Sequence, residues 1–118
     1  VYSYGNYIRR MIRQAKMRGV TPIVLSPTPI NRWPEAGKME TYGETYQKWS
    51  REVAQQEGVE FVDVHEICTK AYEQMGQEKA QEYLADSVHT KEKGARLYCE
   101  KTAQGLKSIN SVLAKYVK

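Results

Sequence analysis

Apolar side chains recur at three- and four-residue spacing at Tyr4, Tyr7, Ile8, Met11, Ile12 and Ala15, which places them on one face of a helix over residues 3–18. Arg9, Arg10, Arg13, Lys16 and Arg18 fall largely on its other faces, and Gly19 is a natural C-terminal stop. The pattern then changes. Val20 to Ser26 is a short apolar run closed by Pro27 and Pro29, the signature of a strand buried on both faces in a parallel sheet. Helical spacing returns at Tyr42, Tyr46, Trp49 and Val53, predicting a second helix over about residues 43–57 with Gly58 behind it. Val59 to Val64 reads as a second strand. Strand, helix and strand with short joins make a βαβ unit, so the two strands should be parallel.

The remainder is helical. Ile67, Cys68, Ala71, Tyr72 and Met75 predict a third helix ended by Gly76, and a short helical piece follows over about residues 77–84. A last helix begins with Thr90 as its N-cap and presents Ala95, Tyr98, Cys99, Thr102, Leu106 and Ile109 as its apolar face. Its capping box is incomplete, because Lys93 stands where Glu or Gln belongs. Fraying is expected beyond Ser108. No repeat, low-complexity tract or linker divides the chain.

Composition narrows this picture. The chain has 118 residues, 41% of them hydrophobic, which suits one small domain with a real core. A mean hydropathy of -0.69, with no apolar run near the ~20 residues of a membrane span, predicts no membrane partner. Val1-Tyr2-Ser3-Tyr4-Gly5 carries no signal-peptide pattern. The net charge of +4 and pI of about 9.0 suit an anionic partner such as a pectic polysaccharide or a nucleic acid, but so modest a charge reads first as a plain solvated surface. Nucleic acid is not expected, because the basic helix lacks aromatic interleaving and any known motif. Cys68 and Cys99 both fall on apolar helix faces and read as buried free thiols, and no Cys-x-x-Cys suggests zinc.

The candidate chemistry centres on Asp86-Ser87-Val88-His89-Thr90. An Asp three residues before a His can put both side chains on one side of a tight turn. There the carboxylate accepts the imidazole Nδ1–H, leaves Nε2 free as a base, and stabilises the imidazolium formed when a proton is taken. From residue types alone three readings stay open: a general-base pair, two metal ligands completed by His65, Asp63 or Glu66, or a turn with a surface His. A nucleophilic Cys68 or Cys99 fits poorly, since a core position raises a thiol's pKa. His65, at the end of the second strand, reads as a capping or packing residue.

A second candidate lies in the loop over residues 27–41, which holds Ile30-Asn31-Arg32-Trp33-Pro34. Ligands of open α/β sheets lie beyond the carboxyl ends of the strands, where this loop begins. Asn31, Arg32 and Trp33 are therefore expected to bind substrate, Arg32 holding a sugar carboxylate and Trp33 stacking on a sugar ring. The opposing expectation is an ordinary surface loop with Trp33 folded back onto the body.

The order of these elements resembles the SGNH (GDSL-type) hydrolases, and among them the rhamnogalacturonan acetylesterases and similar carbohydrate esterases. The likeness runs from the N-terminal amphipathic helix through Thr21-Pro22-Ile23-Val24-Leu25-Ser26-Pro27 to Asp86-x-x-His89-Thr90 and the helix behind it. It implies a three-layer α/β/α, flavodoxin-like fold, of which this chain supplies about two parallel strands and four helices. It also implies a serine esterase that needs no cofactor and removes acetyl groups from a polysaccharide or oligosaccharide. His89 would then deprotonate the serine and Asp86 would orient His89. The sequence contains neither the family's Gly-Asp-Ser nor its Gly-x-Asn-Asp.

Residues 1–118 are accordingly expected to be one partial domain, the C-terminal portion of such an enzyme. Neither Ser87, inside the turn, nor Ser26, followed by Pro27, suits the missing nucleophile. Two strands with open edges predict either an oligomer or association with an N-terminal segment. The competing expectation is a non-catalytic α/β domain that binds carbohydrate or protein through the edge carrying Arg32, Trp33 and His89.

Overall fold

The computed structural model describes residues 2–40 and 44–118; Tyr42, expected at the head of the second helix, lies outside them. The chain folds as α1 (Tyr2–Met17), β1 (Ile23–Leu25), α2 (Glu44–Gln56), β2 (Glu60–Val62), α3 (Val64–Met75), α4 (Gln77–Ala80) and α5 (Glu92–Ser108), with a 3-10 turn at Ala114–Tyr116. β1 and β2 pair in parallel, with Ile23 opposite Glu60, Val24 opposite Phe61 and Leu25 opposite Val62.

Alternation along the strands sends helices to both faces of this small sheet. Val24 and Phe61, partners in register, belong to a cluster with Ile8 and Ile12 of α1 and Val53 and Ala54 of α2. Val62 is the next residue along and faces the other way. It lies under Gly105 of α5, where an added Cβ would come within 2.4 Å of Val62 Cγ1. A second cluster of Met39, Cys68, Tyr72, Ala80 and Leu84 gathers α3, α4 and the loop after β1, with Leu97 and Tyr98 of α5 packed against it. This is the α/β/α layering of a partial flavodoxin-like fold.

Both strands are shorter than their apolar runs. After α1 the chain makes paired closing bonds, Gly19 N–H to Lys16 O and Val20 N–H to Ala15 O, each 3.0 Å, with Gly19 at φ +73°. Val20 therefore belongs to the helix's C-cap and is exposed. At the other strand, Asp63 becomes the N-cap of α3 by accepting the Glu66 N–H at 3.1 Å, so Val64 and His65 begin a helix. The Asp-x-x-Glu spacing at Asp63 and Glu66 was the available signal for this cap.

The last helix corrects two expectations. Its N-cap is Lys91, with no side-chain cap bond, and Thr90 instead makes an antiparallel bridge to Leu84. Its core-facing residues include Gly94 and Gly105, both buried, while Ala95, Cys99 and Ile109 are exposed. Cys68 is a buried free thiol and Cys99 an exposed one. Glycine contributes nothing to a hydropathy pattern, yet it is what lets this helix approach its neighbours so closely.

Much of the basic face of α1 is turned to local use. Arg9 and Arg13 both bond Glu57, each at 2.9 Å, and Lys16 donates to the Glu57 carbonyl. No helix among the described residues is long and apolar enough to cross a membrane.

Candidate active site

The turn at Asp86 is the tip of a short loop closed by backbone bonds. Leu84 and Thr90 bridge, Ala85 N–H reaches His89 O at 2.9 Å, and Lys91 N–H reaches Tyr83 O at 2.8 Å. Within the tip, Asp86 Oδ1 accepts the backbone N–H groups of Val88 and His89, each at 2.8 Å. This is the local side-chain-to-backbone bonding that Asp favours in turns. Asp86 Oδ2 lies 2.8 Å from His89 Nδ1, and Oδ1 lies 3.1 Å from it.

Electrostatics fix who donates. The His89 and Val88 amides, then the His89 ring, hold the Asp86 carboxyl down at about 2. An ionised carboxylate only accepts, so the shared proton sits on His89 Nδ1. With the hydrogen on Nδ1, Nε2 is the open nitrogen, with no hydrogen-bond partner among the described residues. The His89 side chain is 76% exposed and that of Asp86 54%. This geometry matches the base–acid half of a nucleophile–base–acid triad.

The loop after β1 reaches the same turn. Asn31 N–H donates to Ser87 O at 2.8 Å, and Asn31 Nδ2 donates to Asp86 O at 3.3 Å and to Gln81 Oε1 at 2.9 Å. Trp33 stands two residues on in the same loop. It is half-buried, packs against the cluster around Tyr72 and Leu84, and donates its indole N–H to Asn31 Oδ1 at 3.0 Å. Its N–H thus serves the loop and not a ligand. Arg32 is exposed, and its guanidinium makes no hydrogen bond or ion pair with the described residues.

Ser26, Asp63 and His65 cluster without forming a triad. Ser26 is 3% exposed; its hydroxyl donates to Asp63 Oδ1 at 3.0 Å and accepts the His65 backbone N–H at 2.8 Å. The buried His65 ring turns Nδ1 toward Pro27 O, 3.2 Å away, so that nitrogen carries the hydrogen. Gln47 bonds Asp63 at 2.6 Å and Arg51 bonds it as well. The network ties the two strand ends together and leaves Ser26 neither exposed nor bonded to an imidazole. No group of three His, Cys, Asp or Glu side chains gathers as a metal site among the described residues.

The sequence model of the GDSL-like lipase/acylhydrolase family matches residues 2–97. The chain belongs to that family. A crystal structure of the protein YxiM from Bacillus subtilis resembles this GDSL-like chain with a TM-score of 0.79 at 22% identity. The likeness covers 92% of this chain and 31% of YxiM, and at that identity it establishes the fold. The GDSL-like chain thus spans about a third of the length of that solved structure. No curated protein matches it.

Proposed function

We propose that the chain is the C-terminal portion of an SGNH-type serine esterase domain that removes acetyl groups from carbohydrate, with acetylated pectic rhamnogalacturonan as the substrate class. The single observation behind this reading is the 2.8 Å contact from Asp86 to His89 Nδ1, which leaves Nε2 free to act as a base. Membership of the GDSL-like family supplies the reaction class. His89 Nε2 takes the hydroxyl proton of a serine that lies outside these residues. As the tetrahedral intermediate collapses, His89 returns that proton to the departing sugar oxygen, and water repeats the cycle on the acetyl-serine. Asp86 holds the tautomer and stabilises the imidazolium. The mechanism calls for no cofactor.

Pectic selectivity rests on charge. The net charge is +4, and Arg32, whose guanidinium has no partner among the described residues, extends from the loop next to the Asp86 turn. A guanidinium suits the bidentate recognition of a uronate carboxylate. The polar groups of Asn31 and Trp33 bond each other and their neighbours and support the loop that carries Arg32.

The reading is tested with p-nitrophenyl acetate and with an acetylated acidic oligosaccharide. In the enzyme that contains this chain, His89→Ala should lower the rate by ~10³–10⁶-fold on both. Arg32→Ala should impair the acidic oligosaccharide more than the small ester. The 118-residue chain alone should be inert, because a base without nucleophile or oxyanion donors has little to act on. Activity in the complete enzyme that survived His89→Ala would refute the base assignment.

A further inference from the structure

We infer that Asn31 is a positioning residue, which clamps the Asp86–His89 turn to the edge of the sheet through the turn's own carbonyl groups. This inference rests on the esterase reading above and adds to it a residue that acts through the base pair without touching substrate. The Asp86 turn has two polar sides. Its amide side is tied internally, by Asp86 Oδ1 to the Val88 and His89 N–H groups. Of its carbonyls, His89 O takes the Ala85 N–H within the loop, while Asp86 O and Ser87 O are tied from outside, both by Asn31: N–H to Ser87 O at 2.8 Å and Nδ2 to Asp86 O at 3.3 Å.

The orientation of the Asn31 amide follows from its neighbours. An indole N–H can only donate, so the atom 3.0 Å from Trp33 Nε1 must be the Asn31 oxygen. Nδ2 therefore faces Asp86 O and Gln81 Oε1. Gln81 answers by donating Nε2 to Asn31 Oδ1 at 3.3 Å and to Gln77 O at 3.0 Å. Both N–H groups and both lone pairs of the Asn31 amide are thus engaged, which leaves it no capacity for a ligand. Trp33 in turn is anchored on the core cluster of Met39, Cys68, Tyr72, Ala80 and Leu84. A chain of contacts runs from the core through Trp33 and Asn31 to a turn whose residues 85–89 are all exposed.

An exposed turn held only by its own bonds is free both to shift as a body and to fray, and fraying opens the Asp86–His89 contact that fixes the tautomer. A catalytic base misplaced by about 1 Å costs about 10²-fold in rate. Asn31 removes that freedom, because its backbone belongs to the loop leaving β1. Two variants test this in the complete enzyme. Asn31→Ala deletes the amide, and Asn31→Asp keeps its shape while setting a carboxylate oxygen against Asp86 O and Gln81 Oε1. Both retain the backbone bond to Ser87.

The expected result is a kcat about 10²-fold lower in each variant, with KM for p-nitrophenyl acetate unchanged, and a spread of the His89 ring ¹⁵N signals from loss of a single tautomer. A rise in KM for the oligosaccharide with kcat intact would overturn the inference in favour of a substrate contact. So would wild-type kinetics and an unaltered ring spectrum in Asn31→Asp, the variant least able to disturb folding. Asp86→Asn separates the two layers. If it changes the His89 ring spectrum while the Asn31 variants do not, the base pair stands and the clamp is refuted. If Asp86→Asn leaves the spectrum unchanged, the base pair itself falls.

Discussion

Gly105 of α5 lies directly on Val62 of β2, so closely that a Cβ at residue 105 would stand 2.4 Å from Val62 Cγ1 and 3.3 Å from Ile67 Cδ1. Val62 is 1% exposed and β-branched, so it has little room to yield. Gly105→Ala should therefore destabilise the fold, although alanine is the better helix former. The propensity gain is ~1 kcal/mol, against an overpacking cost of ~1–3 kcal/mol. A lower denaturant midpoint with an unchanged slope is the expected outcome. A raised midpoint would show that α5 can lift from the sheet at no cost.

Acid should dismantle the Asp86 turn late. Its carboxyl is held near 2 from an ordinary value of 3.8, chiefly by the His89 and Val88 amides. A depressed folded value means that the contribution to order is complete above about 3.8 and is lost as pH falls through about 2. Carboxyl ¹³C titration should place the Asp86 midpoint well below its ordinary value of 3.8. A midpoint near 4 would mean that the turn bonds are not kept in solution.

The two thiols should separate cleanly. Cys68 is 1% exposed and burial pushes its pKa up to about 11, whereas Cys99 is exposed on the outer side of α5. An aromatic disulfide reagent at pH 8 should modify one thiol per native chain and two in denaturant. Cys99→Ser should abolish the native reaction. Rapid labelling of Cys68 in the native state would contradict the packing of α3 on its cluster.

The free side of β1 should govern association. β1 pairs with β2 along one edge, and no other strand lies beside it among the described residues. Ile8, Met11, Ala15, Ile23 and Leu25 line an apolar groove there, with Met11 57% exposed. Unpaired edges of this kind recruit strands. The isolated chain should sediment as a dimer or larger, and Leu25→Lys should return it to monomer. A well-folded wild-type monomer would show that two strands and their helices suffice.

Local interactions were legible in the sequence, and interactions between distant segments were not. Helical and strand periodicity located α1, β1, α2, β2, α3 and α5, because amphipathic spacing is itself the record of which face meets the core. The Asp86–His89 contact was legible for a related reason: with only two residues between the partners, the turn alone brings them together. The limits of the elements were set elsewhere. Val20 was drawn into the cap of α1, and Val64 into a helix capped by Asp63, where competing hydrogen bonds outweighed strand propensity. The face of α5 was found at Tyr98 but missed at Gly94 and Gly105, because glycine carries no hydropathy and the value of these two lies in the neighbours that an added Cβ would strike, Tyr83 O at 2.1 Å and Val62 Cγ1 at 2.4 Å. Asn31 and Trp33 looked like ligand-binding groups in a loop. Only the folded chain brings Asn31 to carbonyls 55 and 56 residues away and sets Trp33 on the core, since a polar side chain takes its role from the partners that tertiary packing supplies.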